Sequence, residues 1–134
     1  MLKKIITYKD WNDVERTEEH YFNLTKTEVA KLQSSVKGGY DVHAKAIAAG
    51  ANGASIMEFF ENFIKLSYGE KSEDGRRFMK SEEISRAFME TRAYEVLFEE
   101  LVTNANAASA FYNDVMPKDL DEFASKVAAG ANTN

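Results

Sequence analysis

The sequence is poor in the residues that carry most metal, redox and thiol chemistry. It contains no cysteine, two histidines and one proline. The absence of cysteine excludes disulfides, thiol catalysis and cysteine-ligated zinc or iron–sulfur sites. His20 and His43 are too few for a three-histidine metal site, and neither has a partner at ligand spacing. We therefore expect no metal and no other cofactor.

The sequence also lacks long apolar runs and an excess of basic residues. No stretch approaches the roughly 18 consecutive apolar residues of a membrane span, and the start of the chain lacks the apolar segment of a secretory signal peptide. The 134 residues carry a net charge of -5, and the whole acidic excess lies in residues 68–134. Such a charge repels a phosphate backbone. We expect a soluble protein that binds neither membranes nor nucleic acid.

The first 24 residues follow the pattern of a β-hairpin. Ile5–Tyr8 is β-branched and aromatic, residues 9–13 are turn formers, and residues 14–24 resume an extended pattern. His20 follows Glu18 and Glu19 in the second strand, and we interpret it as a solvated side chain. A lone hairpin is marginally stable, so this one must pack on helices or on another copy of itself.

From Thr25 onward the apolar spacing becomes that of helices. Thr25 and Glu28 form a capping box, in which each residue's side chain bonds the other's backbone amide. Ser81, Thr91 and Asn104 are further N-cap candidates. Two helices carry wide apolar stripes that predict a buried core. The predicted core residues are Ile56, Phe59, Phe60, Phe63, Ile64, Leu97, Phe98 and Leu101.

These patterns predict an α+β fold. One globular domain covers residues 1–117, with the hairpin at residues 3–24 and about six short helices at residues 25–116. Residues 118–134 are predicted to form a C-terminal helix and a flexible tail. At this length the chain supports one hydrophobic core and not two.

Catalytic constellations are missing from the sequence. No nucleophile, base and orienting group can be nominated together, and no glycine-rich phosphate loop is present. Glu58 and Glu61 are three residues apart, but they fit a solvated helix face better than a carboxylate pair. We assign no catalytic residue and expect a protein that is not an enzyme.

Residues 68–80 form the most unusual segment. One interpretation is a polar connector with a turn at residues 73–75. The other is a partner-binding loop, because arginine beside aromatic side chains is typical of protein interfaces. The candidate partner-binding residues are Tyr68, Arg76, Arg77, Phe78 and Lys80.

A series of short strings stands in a recognisable order along the chain. The strings are Ile5–Tyr8, Val14–Glu18, Tyr21–Lys26, Ser67–Ser72, Asp74–Phe78, Lys80–Glu83, Ala93-Tyr94, Leu97-Phe98 and Glu100-Leu101. In this order they resemble the small tail assembly chaperones of long-tailed phages that infect Gram-positive bacteria. The similarity covers most of residues 3–117 and departs at the hairpin turn, where relatives commonly have Asn-Gly and this chain has Asn12-Asp13.

The resemblance implies a non-enzymatic factor made in the cytoplasm of the infected bacterium. Such chaperones bind the long, helical, apolar tape measure protein, keep it soluble and help recruit tail tube subunits. They are absent from the finished particle, and we expect this chain to self-associate. The alternative is a structural virion protein of the tail or the head–tail connector, whose hairpin adds a strand to a neighbour's sheet.

Overall fold

A computed structural model describes residues 1–50 and 53–118 of the chain. It contains a sheet and six helices, which confirms the predicted α+β class. The strands are β1 (Leu2–Lys9), β2 (Glu15–Phe22), β3 (Tyr68–Lys71) and β4 (Phe78–Met79). The helices are α1 (Lys26–Ser35), α2 (Tyr40–Gly50), α3 (Gly53–Ser67), α4 (Glu82–Met89), α5 (Arg92–Thr103) and α6 (Ala105–Val115). Residues 119–134 of the predicted C-terminal helix and tail lie outside the described residues.

The four strands form one antiparallel sheet in the order β1-β2-β3-β4. The register of the first hairpin pairs Leu2 with Phe22 and Lys9 with Glu15. Because side chains alternate along a strand, one face of β1 is buried at Ile6 and Tyr8 while the residues between them stay exposed. The buried face packs against α5 and α6. Within the described residues no helix has both the length and the apolar character needed to cross a bilayer.

The second hairpin was not predicted from the sequence. The connector interpretation of residues 68–80 is wrong at its two ends, where β3 and β4 pair with each other and β3 also pairs with β2. These strands are too short to show an alternating pattern. Gly69, which reads as a loop residue, is needed in β3 because a Cβ there would lie 2.7 Å from the Phe78 ring.

The first hairpin turns through a left-handed aspartate. Asp13 has a φ of 60°, the conformation for which glycine is best suited. The Asp10 carboxylate accepts hydrogen bonds from the backbone N–H groups of Asn12 (2.8 Å) and Val14 (3.0 Å) and from Arg16 Nε (2.6 Å). These hydrogen bonds stabilise the turn and thereby offset the backbone strain at Asp13.

The predicted helix caps are confirmed. In the capping box, the Glu28 N–H donates to Thr25 Oγ1 at 3.1 Å and the Thr25 N–H donates to Glu28 Oε1 at 2.9 Å. Ser81, Thr91 and Asn104 each accept from the backbone amide three residues ahead. These caps satisfy amides that a helix start leaves without partners.

The core lies between the sheet and helices α3 to α6. Ile56 and Phe98 are partly buried and pack against it. The other six predicted core residues, Phe59, Phe60, Phe63, Ile64, Leu97 and Leu101, are buried. Aromatic rings pack edge to face at its centre, where Phe111 lies 5.2 Å from Phe22 and 5.9 Å from Phe63 between ring centroids.

The solvated interpretation of His20 is wrong. Its side chain is only 11 % exposed, and its ring lies 4.8 Å from the Phe88 ring. His20 shares the inner face of β2 with Phe22, and α4 covers that face. Burial lowers the pKa of His20, while the Glu18 carboxylate, whose Oε1 lies 3.4 Å from Nε2, partly opposes this.

Candidate partner-binding surfaces

An open apolar groove of about 500 Å³ lies between α2 on one side and helices α3, α5 and α6 on the other. Phe59, Phe60 and Leu101 form its floor, with Phe59 8 % and Phe60 7 % exposed. Its walls include Ala44, Ile47, Ala48, Ile56, Ala108 and Tyr112. We call this the α2 groove.

The α2 groove exists because the helices that flank it carry small side chains. The wall from α2 contributes Ala44 and Ala48, and the wall from α6 contributes Ala105 and Ala108. Alanine cannot reach across to fill the space above the aromatic floor, so the gap stays open. Interiors are normally packed without such voids. An open space of this size beside buried aromatic rings therefore suits a ligand or partner segment.

The charged groups at the rim of the groove are paired with each other. Asp41 accepts a hydrogen bond from the Tyr112 hydroxyl at 2.9 Å and forms an ion pair with Lys45 at 3.0 Å. Partial burial opposes ionisation of Asp41, but the hydrogen bonds from Lys45 and Tyr112 hold its pKa below the usual value. The groove therefore presents an apolar floor with a neutralised rim.

A second cleft of about 510 Å³ runs along the other side of α2. Tyr40, Ile47 and Phe59 line it, and the last two also line the α2 groove. The Tyr40 hydroxyl is buried and has no hydrogen-bond partner among the described residues. Because open space flanks α2 on both sides, its contact with α3 is narrow.

Two of the candidate loop residues make contacts within the fold, Tyr68 as a buried side chain and Lys80 as a half-buried one. Tyr68 is 8 % exposed and stacks on Phe88 with 4.2 Å between ring centroids. Lys80 Nζ contacts the Glu28 carboxylate at 2.9 Å and donates to the backbone oxygens of Asn23 and Leu66. Both residues thus hold the second hairpin onto the helices, and neither presents its polar end to a partner.

The other three candidates lie at or near the tip of the second hairpin. Arg76 and Arg77 are exposed, whereas Phe78 is half-buried beside Gly69. The fold therefore brings the two arginines together at the surface and separates them from Tyr68 and Lys80. The partner-binding role of this tip stays a prediction.

Sequence reasoning missed the α2 groove, although the sequence contains a trace of it. The segment Tyr40–Gly50 is rich in alanine, which a helix that fills a core seldom is. The nearby stripe of α3 was predicted to be core, and the sequence did not show that its first turns face open space.

The described residues show no arrangement suited to a metal ion. Within residues 1–50 and 53–118, no group of three or more histidine, aspartate or glutamate side chains could hold one. Glu58 and Glu61 are exposed on α3. His43 is exposed on α2.

An apolar groove with a neutralised rim is typical of proteins that bind an amphipathic helix of another chain. Residues 1–133 match the family described as phage tail assembly chaperone, and the chain belongs to this family. The match confirms the predicted family and extends beyond residues 3–117, where the resemblance was recognised. Members of this family are generally non-enzymatic. No curated protein and no solved structure matches the chain.

Proposed function

We propose that this tail assembly chaperone binds the tape measure protein of a long-tailed phage, keeps it soluble and helps recruit tail tube subunits around it. The host is a Gram-positive bacterium, and the chaperone acts in the cytoplasm of the infected cell and leaves before the virion is finished. Family membership supports the class of function, and the α2 groove is the observation that supports the binding step.

The groove suits one apolar stripe of a helix. A tape measure helix would place its apolar side chains over Phe59 and Phe60, between the alanine-rich walls of α2 and α6. Each leucine-sized side chain buried in this way contributes about 1.5–3 kcal/mol. Two or three such side chains together contribute about 3–9 kcal/mol. This gain is of the same order as the cost of association, so binding stays weak and reversible. Reversible binding is what a chaperone that must leave requires.

The charge of the chain supports the same function. An apolar helix released into the cytoplasm aggregates through its exposed stripe. A partner that covers the stripe and carries a net charge of -5 makes the complex repel its neighbours.

The test is co-expression with the tape measure protein encoded in the same phage genome. The wild-type chaperone should keep that protein in the soluble fraction and co-purify with it. Ala48 lines the groove and is exposed, so Ala48→Trp should fill the groove and reduce the co-purified tape measure protein by about tenfold or more.

The matched control is Ala46→Trp, on the same helix but outside the groove lining. This variant should capture the tape measure protein as the wild type does. Equal capture by wild type, Ala48→Trp and Ala46→Trp would show that the groove is not the binding site. Failure of the wild type to capture any tape measure protein would contradict the proposed function itself.

One observation favours the alternative function in the particle. Strand β1 is eight residues long and lies at the edge of the sheet, so among residues 1–50 and 53–118 no strand pairs with its outer side, which a neighbour could join. Mass spectrometry of purified virions distinguishes the two functions. A chaperone should be found in infected-cell lysates and missing from virions, whereas a structural protein should be present in a fixed copy number.

A further inference from the structure

We propose that copies of this protein associate head to tail through the tip of the second hairpin. In this arrangement Arg76 and Arg77 of one copy enter an acidic cleft between α3 and α4 of a second copy. The inference concerns the chaperone alone and does not depend on the tape measure protein.

The tip is held in one conformation by a network of short hydrogen bonds. Asp74 Oδ1 accepts from the Ser72 hydroxyl at 2.7 Å and from the Arg76 N–H at 3.0 Å. The Arg77 N–H donates to Ser72 Oγ at 3.0 Å, and the backbones of Ser72 and Arg77 pair at 2.9 Å. Gly75 provides the left-handed residue of the turn, with a φ of 73°. The backbone that carries both arginines is therefore ordered before any partner arrives, which lowers the entropy lost on binding.

The two guanidinium groups at this tip are not used within the fold. The ion pairs that arginines make in the described part of the chain involve Arg16 and Arg92, and neither tip arginine forms one. The Asp74 carboxylate is occupied by the turn, and these bonds lower its pKa. Arginine is the residue best suited to bind carboxylates in a protein interface, because its planar group forms two parallel hydrogen bonds.

The complementary surface is a cleft of about 520 Å³ between α3 and α4. Four carboxylates line it, together with two basic side chains. The acidic residues are Glu61, Glu82, Glu83 and Glu90, and the basic residues are Lys65 and Arg86. Lys65 lies 3.8 Å from Glu82, whereas Glu61, Glu83 and Glu90 form no ion pair with any described residue. The cleft is thus an acidic concave surface with three unpaired carboxylates.

Charge complementarity joins the two surfaces in different copies. The tip arginines are exposed cations without an ion pair in the described part of the chain, and the cleft is concave and acidic. A tip that meets a different patch on its neighbour makes a heterologous contact. Each copy then offers one free tip and one free cleft, so association continues along a row or closes into a ring.

The test is sedimentation velocity of the purified full-length protein over a range of concentrations at low salt. Wild-type protein should self-associate, and added salt should weaken the association because exposed charges are screened. Arg76→Glu with Arg77→Glu should weaken self-association by about tenfold or more, and so should Glu61→Lys with Glu90→Lys. Lys31→Glu with Lys37→Glu has the same charge change as the tip variant at exposed positions outside both surfaces, and it should associate as the wild type does.

Mixing the two interface variants gives the sharpest result. The tip variant retains an intact cleft for the intact tip of the cleft variant, and its acidic tip is complementary to the cleft of the other variant, which has become basic. Neither variant should associate alone, and the mixture should recover the self-association of the wild type. Circular dichroism and the melting temperature of each variant identify a folding defect.

The proposal is overturned if the wild type is a monomer at all concentrations, or if folded tip variants associate as well as the wild type. It is also overturned if the mixture of the two folded variants does not associate. Because tape measure protein is absent from the experiment, these outcomes leave the proposed function unaffected, and loss of capture by Ala48→Trp leaves head-to-tail association unaffected.

Discussion

The two ends of the apolar stripe on α3 have the same chemistry but different surroundings. At the C-terminal end Phe63 and Ile64 are fully buried, and Phe63 packs against the Phe111 ring of α6; we call this the closed side of the core. At the N-terminal end Ile56, Phe59 and Phe60 line the α2 groove and border open space; we call this the open side. The stripe is continuous in sequence, so the difference comes from the neighbours. Large rings of Phe22 and Phe111 close the first side, and alanines leave the second side open.

This difference separates stability from function in the fold. The closed side holds the domain together, and the open side is available to a partner. Changes on the closed side should therefore unfold the protein, whereas changes in the groove should leave it folded.

Phe63→Ala should have the largest effect on stability. Its side chain is 0 % exposed and packs against the Phe111 ring, so the substitution leaves a cavity that the surrounding helices cannot close. We expect the free energy of unfolding to fall by about 3–5 kcal/mol. Urea denaturation followed by circular dichroism measures this loss. A fall of less than about 1 kcal/mol would show that the closed side is not the structural core.

Lys80→Met should destabilise the protein by about 1–3 kcal/mol. The substitution removes the ammonium group that bonds Glu28, Asn23 and Leu66, and it leaves their oxygens without this donor. The exposed Lys37→Met is the matched control and should change stability by less than about 0.5 kcal/mol. Equal stability of the two variants would mean that Lys80 is available for a partner, as the sequence suggested.

Acidification should destabilise the fold through His20. Burial lowers the pKa of His20 in the folded state below its ordinary value of 6.5, so the unfolded chain binds the proton more readily. Stability is therefore retained above the unfolded pKa and declines as the pH falls through it. Denaturation midpoints at pH values from about 7.5 to 5.5 should shift downward in the wild type and less in His20→Asn. Identical shifts in both proteins would exclude His20 as the group responsible.

Ala48→Trp should have the smallest effect on stability. Because Ala48 is exposed and borders open space, we expect a change within about 0.5 kcal/mol in the free energy of unfolding. Together with the expected loss of tape measure capture, this result would separate the groove from the core. A large loss of stability would instead place Ala48 in the structural framework.

Local sequence features predicted much of the fold. The capping residues Thr25, Ser81, Thr91 and Asn104 mark helix starts because their side chains act on amides only a few residues away. The stripe on α3 likewise reports its own helical period. These elements are determined within a few turns of chain, so the sequence displays them directly.

The features that were missed depend on contacts distant in sequence. Strand β3 forms because Tyr68 pairs with Phe22, and no local pattern of four residues reveals such a partner. His20 is buried by α4, more than sixty positions later in the chain. The α2 groove arises from the spacing of helices that carry alanine, and spacing is a tertiary property. For the same reason the exposure of the loop arginines could be predicted, but the contacts of Tyr68 and Lys80 within the fold could not.

Site-specific photocrosslinking shows directly whether the tape measure protein binds in the α2 groove. A photoreactive residue at position 48, inside the α2 groove, or at position 46, outside it, is introduced into the chaperone co-expressed with its tape measure protein. After illumination we expect a covalent adduct between position 48 and the tape measure protein, and no adduct from position 46. Adducts of equal yield from both positions, or an adduct from position 46 alone, would contradict this expectation.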